Sequence, residues 1–541
     1  MKKTKLNFSL VVLIFVFFFI YFPTYTTQFV MDDSHTIQSN QFVHSLKYIL
    51  LPWVSAKAYS SSPENYGYRP LITNFSQVCW ALGQGSVIPF QVAKILLLIL
   101  FAWLCFLLWR EWQRITSKNS NLLWWGNGLL AFGFFLLHPV STQVGNYIAA
   151  TSTLLCGVFY ILGFYWYLKY RGENTEKKTV KYLLFAGVSY FFSVMSKEEG
   201  ITLIAILLVV ECFFLRGLKR KPTIGLGFLS TIGIFATYLV VTHFEATSNI
   251  ARGSISRELY FATQLRAYFF YMGSYLWPFQ FNFDHLSFQF SEQLWTFTNV
   301  LFLFLNAAWF CFGIYLCVKK NSLGLAIVGF YISIAPASSV IPLAEAVNDH
   351  RHFIPFAFFG FGIIQILEKL FAKITANEQR QKIAIYCLLI FLAGATLLRN
   401  FDYVSNRTLW TDTVLKNPNS PRAKNNLALD YMAKTEYDFA QVLLRKCIQE
   451  AQGYYPCFVN YAVTSAATGD DATAEEFFKK AITMDRNLIS SRTFYADFLI
   501  ERGRDLEAKT YLEEASQFAQ GLNKPVVDRL EAIHARLANK K

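Results

Sequence analysis

The chain has 541 residues, of which 54% are apolar and 18% aromatic, with 54 Phe. That composition excludes a string of ordinary soluble domains and points to a polytopic membrane protein. The net charge of +14 does not signal nucleic acid, because the basic residues alternate with apolar runs and do not line one soluble face; they report topology.

Apolar runs near the roughly 17–25 residues that a spanning helix needs predict about eleven transmembrane helices, at 6–22, 90–109, 122–137, 144–168, 182–195, 201–215, 224–242, 297–318, 323–341, 353–367 and 383–398. The first run is followed by Pro23-Thr24-Tyr25-Thr26-Thr27, without a small-x-small cleavage pattern, and is read as an uncleaved anchor. Only Lys94 and Glu211 place a charge inside these runs, each near an end. Basic groups mark every second junction: Lys2, Lys3 and Lys5; Arg110, Arg114 and Lys118; Lys169, Arg171, Lys177 and Lys178; Arg216, Lys219, Arg220 and Lys221; Lys319 and Lys320; Lys369, Lys373, Arg380 and Lys382. The positive-inside rule makes these loops cytoplasmic, with the amino terminus inside and the carboxy-terminal region outside. Residues 261–279 are apolar enough to span, but Arg266, Trp277 and Pro278 interrupt them. A crossing there would invert every later loop, so this segment is expected to lie in or re-enter the outer interface.

The segment 30–88 is long for an outer loop and holds Asp32, Asp33, His35, Lys47, Lys57, Glu64 and Arg69; long ordered loops are usually functional. Tyr68-Arg69-Pro70-Leu71 reads as a helix start with Pro in its first turn. The other outer loops bring His138-Pro139, then Ser196-Lys197-Glu198-Glu199-Gly200, then 342–352 with Glu345, Asp349, His350, Arg351 and His352. Asp32 and Asp33 read either as a solvated loop start or as a functional acidic pair. Lys197 and Arg351 run against the positive-inside bias, and a phosphate ligand would supply their counter-charge. His138 caps a helix or shapes a site, and Glu198 with Glu199 read as a helix amino-terminal pair or as site carboxylates.

Beyond Arg399 the composition becomes that of a soluble helical domain, with 400–420 as a linker. Ala428, Ala462 and Ala496 recur with a period of 34, as do Ala440, Ala474 and Ala508, and Leu444, Phe478 and Leu512 hold the large apolar phase. This is the tetratricopeptide pattern, about three repeats within 421–541, which offers a concave face for a peptide. Cys447 and Cys457 lie in this part; outside the cell a disulfide between them is permitted, and two free thiols are the alternative.

Phosphate-binding glycine loops, Cys-x-x-Cys pairs and His-Glu-x-x-His helices are missing from the sequence. Taken in order, Asp32-Asp33, Tyr68-Arg69-Pro70-Leu71, Leu137-His138-Pro139-Val140, Met195-Ser196-Lys197-Glu198-Glu199-Gly200, His350-Arg351-His352-Phe353-Ile354-Pro355 and Arg407-Thr408-Leu409-Trp410 resemble the transmembrane and tetratricopeptide-repeat O-mannosyltransferases, a branch of the GT-C membrane glycosyltransferases. The family's Thr-Glu-x-Val is here Thr142-Gln143-Val144-Gly145. The resemblance implies an all-α, GT-C-like transmembrane domain over 1–399 followed by a soluble α-solenoid. It implies an inverting enzyme that takes a sugar, mannose or another hexose, from a polyprenyl-phosphate donor to Ser or Thr of an exported protein. One of Asp32 and Asp33, with Asp33 preferred, would be the base. Arg351, Lys197, His350 and Arg69 would hold the donor phosphate, and His138, Glu198 and Glu199 would complete the site. The carboxylates Asp32, Asp33, Glu198 and Glu199 leave a divalent metal open as cofactor. The expected location is a bacterial inner membrane with periplasmic repeats, or the endoplasmic reticulum with luminal repeats. The alternative is a non-catalytic membrane anchor whose repeats recruit envelope or secretion partners.

Overall fold

The computed structural model describes residues 2–62, 65–116, 126–173, 175–216, 218, 221–244, 255–285, 288–339, 341–343, 345–375, 377–484, 489–518 and 524–539. Glu64, Lys118, Lys219, Arg220 and the start of the 122–137 run lie outside them. The described residues are helical throughout and form two compact units, Met1–Ser405 and Asn406–Lys541.

In the first unit, α1 (Lys2–Tyr21) leads through an outer segment of short turns to α2 (Pro70–Gly83). Then follow α3 (Ile88–Thr116), α4 (Gly126–Leu137), α5 (Ser141–Asn146), α6 (Thr151–Gly172), α7 (Glu176–Ser196), α8 (Leu203–Phe213) and α9 (Pro222–Phe244). The unit closes with α10 (Arg257–Leu276), α11 (Phe297–Val318), α12 (Ser322–Ile334), α13 (Phe353–Ile374) and α14 (Glu378–Asp402). Among the described residues, seven helices are long and apolar enough to cross a membrane, which makes this a membrane protein. The expected runs 6–22, 122–137 and 323–341 fall in shorter apolar helices, and 201–215 holds the short α8. Proline bounds three of these helices, α1 ahead of Pro23, α4 ahead of Pro139 and α12 ahead of Pro336, because proline has no N–H with which to continue the helical ladder.

The apolar stretch of α6 is 83% buried and forms the centre of the bundle, whereas that of α11 is 17% buried and faces outward. At one end of the bundle Glu111 pairs with Lys169 at 2.8 Å and takes a hydrogen bond from Arg114, while Trp112 donates to Ser322 at 2.9 Å. Glu211, a charge inside an apolar run, is matched there by Arg171 and by the Tyr167 hydroxyl at 2.8 Å. This is the end that the basic loops mark as cytoplasmic. The opposite end gathers the outer loops. Helix α10 keeps both of its halves there: Tyr260 donates to the Ala337 carbonyl at 3.0 Å, Gln264 to that of Ala346 at 2.9 Å, and Tyr275 to that of His352 at 3.0 Å. It therefore lies along the connection between α12 and α13 without crossing the bundle.

The outer segment has a small core of Ile37, Val43, Cys79, Phe90 and Ile148. Amides substitute for regular pairing: Gln77 donates to the carbonyls of Phe42 and Tyr48, and Asn40 to that of Ala58. Helix α2 begins at Pro70, where the sequence places a proline-led helix start.

The second unit comprises α15 (Asn406–Lys416), α16 (Pro421–Ala433), α17 (Tyr437–Glu450), α18 (Tyr455–Ala467), α19 (Asp471–Met484), α20 (Ile489–Glu501), α21 (Asp505–Phe518) and α22 (Lys524–Asn539). The 34-residue period is realised as the helix pairs α16/α17, α18/α19 and α20/α21. All six repeating alanines are fully buried, where only a methyl fits between the paired helices, and Leu444, Phe478 and Leu512 fill the space beside them. Residues 400–420, expected as a linker, hold the last turn of α14 and the helix α15. The reason is burial: Leu409, Trp410 and Thr413 cover α16, and Arg407 pairs with Asp430 at 2.8 Å.

Cys447 and Cys457 form a disulfide across ten residues of sequence, joining α17 to α18. Closing so short a loop in the unfolded chain is worth about 2–3 kcal/mol. Replacing both cysteines with Ala is therefore expected to lower the stability of residues 406–541 by that amount in urea unfolding. Reduction of the natural protein should reproduce the loss, and an unchanged midpoint would contradict it.

Candidate functional site

The acidic pair sits just past α1, where Met31 adopts a left-handed backbone (φ 47°). This turn sends the two neighbouring carboxylates in opposite directions. Asp33 is 1% exposed; its Oδ2 accepts the Val30 N–H at 3.0 Å and its Oδ1 the Ala149 N–H at 2.8 Å. Burial pushes its carboxyl well above the usual carboxylate range, against the pull of those amides and of Lys94. Lys94 is the second charge found inside an apolar run; it is fully buried, its ammonium lacks a hydrogen-bond partner, and it faces Asp33 electrostatically. Asp32 by contrast has a 56% exposed side chain, with His35 Nε2 at 3.6 Å and the Tyr147 hydroxyl bonded to it. The segment 147–149 thus grips both members of the pair, one through a side chain and one through the backbone.

Tyr59 links Asp32 to Arg69, and around Arg69 the structure collects most of the residues singled out from the sequence. One guanidinium nitrogen of Arg69 donates to both Glu198 oxygens, at 2.9 and 3.2 Å, and Arg69 also donates to Tyr59, whose phenol is within electrostatic range of Asp32. Lys197 pairs with Glu199 at 2.7 Å and donates to Thr153 at 3.1 Å, both carboxylate and ammonium being buried. Arg351 donates to the Glu345 carbonyl at 2.7 Å and stands 3.5 Å from its carboxylate. The His350 ring lies within electrostatic range of Lys197, Arg351 and Arg69, and its Nδ1 is buried without a partner. The premise that a phosphate must supply the counter-charge of these cations does not hold: Glu198, Glu199 and Glu345 already do so. A donor phosphate would enter a cluster balanced in charge, and would gain from it only by loosening one of these pairs.

His138 stands apart. Its Nδ1 accepts the Val140 N–H at 3.2 Å, its Nε2 meets the Tyr275 carbonyl at 3.2 Å, and Phe134 and Phe356 enclose the ring. Burial holds it down to about 3, so it is neutral and joins the end of α4 to α10. Among the described residues no three of His, Cys, Asp and Glu are grouped to hold a metal ion. Tyr59 and Tyr147 carry no motif, and only their separations of 27 and 115 residues from Asp32, closed by the fold, make them part of the site.

Gly200 explains its own place in Ser196-Lys197-Glu198-Glu199-Gly200. A Cβ there would come within 2.5–2.7 Å of the backbone of Ser193 and Val194, so the loop carrying Lys197 and Glu199 folds flat against α7 only with glycine. Gly200→Ala is expected to lower stability by about 1–3 kcal/mol and to shift the thermal midpoint of the detergent-solubilised protein downward; an unchanged midpoint would mean that the loop is free to move.

The fold and this cluster define a polytopic, all-helical membrane protein with an acid-and-cation site at one end of the bundle and a helical-repeat unit after it. No family model matches the chain. Among curated proteins it is similar to the TMTC protein O-mannosyl-transferases, at modest identity. It is 28% identical to human Protein O-mannosyl-transferase TMTC4 over 200 residues, 35% of this chain and 27% of that protein. Human Protein O-mannosyl-transferase TMTC2 is 26% identical over 226 residues, 38% of this chain and 24% of that protein. Mouse Protein O-mannosyl-transferase TMTC3 is 23% identical over 504 residues, 82% of this chain and 51% of the relative. The chain spans about half the length or less of these curated relatives.

Proposed function

We propose that this protein is an inverting membrane glycosyltransferase that moves mannose or another hexose from a polyprenyl-phosphate donor to a Ser or Thr hydroxyl of an exported protein. The observation that carries the reading is the exposed Asp32 carboxylate, set in one cluster with Arg69, Lys197, His350 and Arg351. Its relatives' name, O-mannosyl-transferase, supports the same chemistry. Asp32 takes the proton of the attacking hydroxyl as its oxygen bonds to the anomeric carbon. The bond from that carbon to the phosphate oxygen breaks in the same displacement, and the departing lipid phosphate is held by Arg351, Lys197 and Arg69. Asp32 is assigned as base in preference to Asp33 because a base must reach the hydroxyl, and both Asp33 oxygens already accept buried backbone amides. Asp33 anchors the loop.

The test is transfer of labelled mannose from a defined polyprenyl-phosphate donor to Ser/Thr peptides by the purified protein in lipid vesicles, with a chelator arm for metal dependence. Transfer is expected; failure with every hexose donor would leave the anchor reading. The site and the repeats are assigned to the periplasmic or luminal side. An impermeant thiol reagent is therefore expected to reach cysteines introduced after residue 406 from that side and one introduced at Lys320 from the cytoplasm. The reverse pattern would overturn the topology.

A further inference from the structure

His35 lies in the acidic stretch but has no part in the displacement just described. Its ring is held in one orientation by a buried serine: Nδ1 is 3.0 Å from Ser60 Oγ, and Ser60 is 1% exposed. The Ser60 hydroxyl also faces the Ser62 carbonyl at 3.1 Å, and its oxygen accepts the Ser62 N–H at 2.9 Å. With the hydroxyl hydrogen on that carbonyl, Ser60 is an acceptor toward the imidazole and Nδ1 carries the hydrogen. The neutral ring in this arrangement turns its Nε2 lone pair toward Asp32 Oδ1, 3.6 Å away, with part of the side chain open to solvent. A lone pair facing a carboxylate is unfavourable unless a proton lies between them.

We infer that His35 is the proton-exit residue of the site: it receives from Asp32 the proton that Asp32 takes from the acceptor hydroxyl and releases it to water. The inference rests on the assignment of Asp32 as base. The steps balance. The hydroxyl O–H bond breaks and an Asp32 O–H bond forms; that bond then breaks as Nε2–H forms, restoring the carboxylate. The imidazolium, carrying hydrogen on both nitrogens, then loses one proton to solvent and returns to its starting tautomer. His35 acts through Asp32 and does not touch the sugar. Tyr147, bonded to Asp32, the neighbouring Asp33, and Tyr59 with Arg69 behind it are other titratable groups the described residues place around this carboxylate. None of them meets the His35 ring in a described contact, so the exchange is between Asp32 and His35.

Two measurements on the full chain in lipid vesicles test this. The first is the rate of transfer. In His35→Gln the rate at saturating donor is expected to drop several-fold with donor KM unchanged, and imidazole in the buffer to restore rate to His35→Ala. A His35→Gln rate equal to that of the wild type would overturn the relay while leaving the transferase reading intact. The second measurement needs no turnover: nitrogen-15 NMR of labelled histidine, with the His35 signal assigned by its loss in His35→Gln. The neutral ring is expected to carry its hydrogen on Nδ1. A neutral ring with hydrogen on Nε2 overturns the inference even in a protein that transfers no sugar.

Discussion

Asp32→Asn is expected to lower sugar transfer by about 10²- to 10⁴-fold at saturating donor, the range contributed by a positioned general base, without lowering thermal stability. The amide keeps the shape of the side chain but cannot take the hydroxyl proton. With 56% of its side chain exposed, Asp32 has little packing to lose. Asp33→Asn is expected to behave in the opposite sense. Its amide nitrogen would face one of the two backbone N–H groups, of Val30 or Ala149, that now donate to the carboxylate. A buried donor left without an acceptor costs about 1–3 kcal/mol, so this variant should melt earlier and lose activity in step with folded protein. Measuring initial rates and melting midpoints on both variants separates the roles. If Asp32→Asn transfers normally while folded Asp33→Asn does not, the assignment of base and anchor must be exchanged.

Arg351→Ala is expected to reduce kcat/KM for the lipid-phosphate donor by roughly 2–5 kcal/mol in transition-state terms, the loss seen when one partner of a desolvated charged contact is removed. Arg351→Lys should lose less, because it keeps the charge and gives up the planar fork. The side chain is 8% exposed and one guanidinium nitrogen holds the Glu345 carbonyl, while the contact with the Glu345 carboxylate is long at 3.5 Å. Of the three balanced cations this is the pair a phosphate can most easily loosen. Were Arg351 only a brace for residues 345–351, both variants would instead lower the melting midpoint and affect donor and acceptor kinetics alike. Donor-titration kinetics at fixed peptide distinguish the two, and normal donor kinetics in Arg351→Ala would remove this residue from the site.

Much of the architecture is legible in local pattern. Apolar runs of bilayer length, basic residues at alternate junctions and a strict 34-residue alanine period each follow from a constraint that acts within a short stretch of chain. Lipid admits only backbone that satisfies its own hydrogen bonds, and two helices of a hairpin approach closely only where a side chain is small. The same locality explains the errors. Residues 400–420 look polar enough for a linker, yet Leu409, Trp410 and Thr413 gain a buried face once α16 is there to cover them. His138, which reads as a helix cap or a site residue, instead accepts the Val140 N–H within its own turn and reaches the Tyr275 carbonyl, 137 residues away, a contact that no local pattern shows.

From the sequence alone Asp32 and Asp33, Arg69, Lys197 with Glu198 and Glu199, and His350 with Arg351 are expected on the same side of a membrane, since the charge and length of the intervening runs set the expected crossings. Tertiary structure alone decided what each does there. Which carboxylate is exposed depends on a left-handed turn at Met31 and on an amide supplied from Ala149. Which acid meets Arg69 depends on Glu198 arriving from 129 residues away, and the orientation of the His35 ring depends on a serine 25 residues away. These are contacts of a few ångströms between residues far apart in the chain, and no periodicity or composition encodes them, because hydrogen-bond energy is settled by the last ångström of approach.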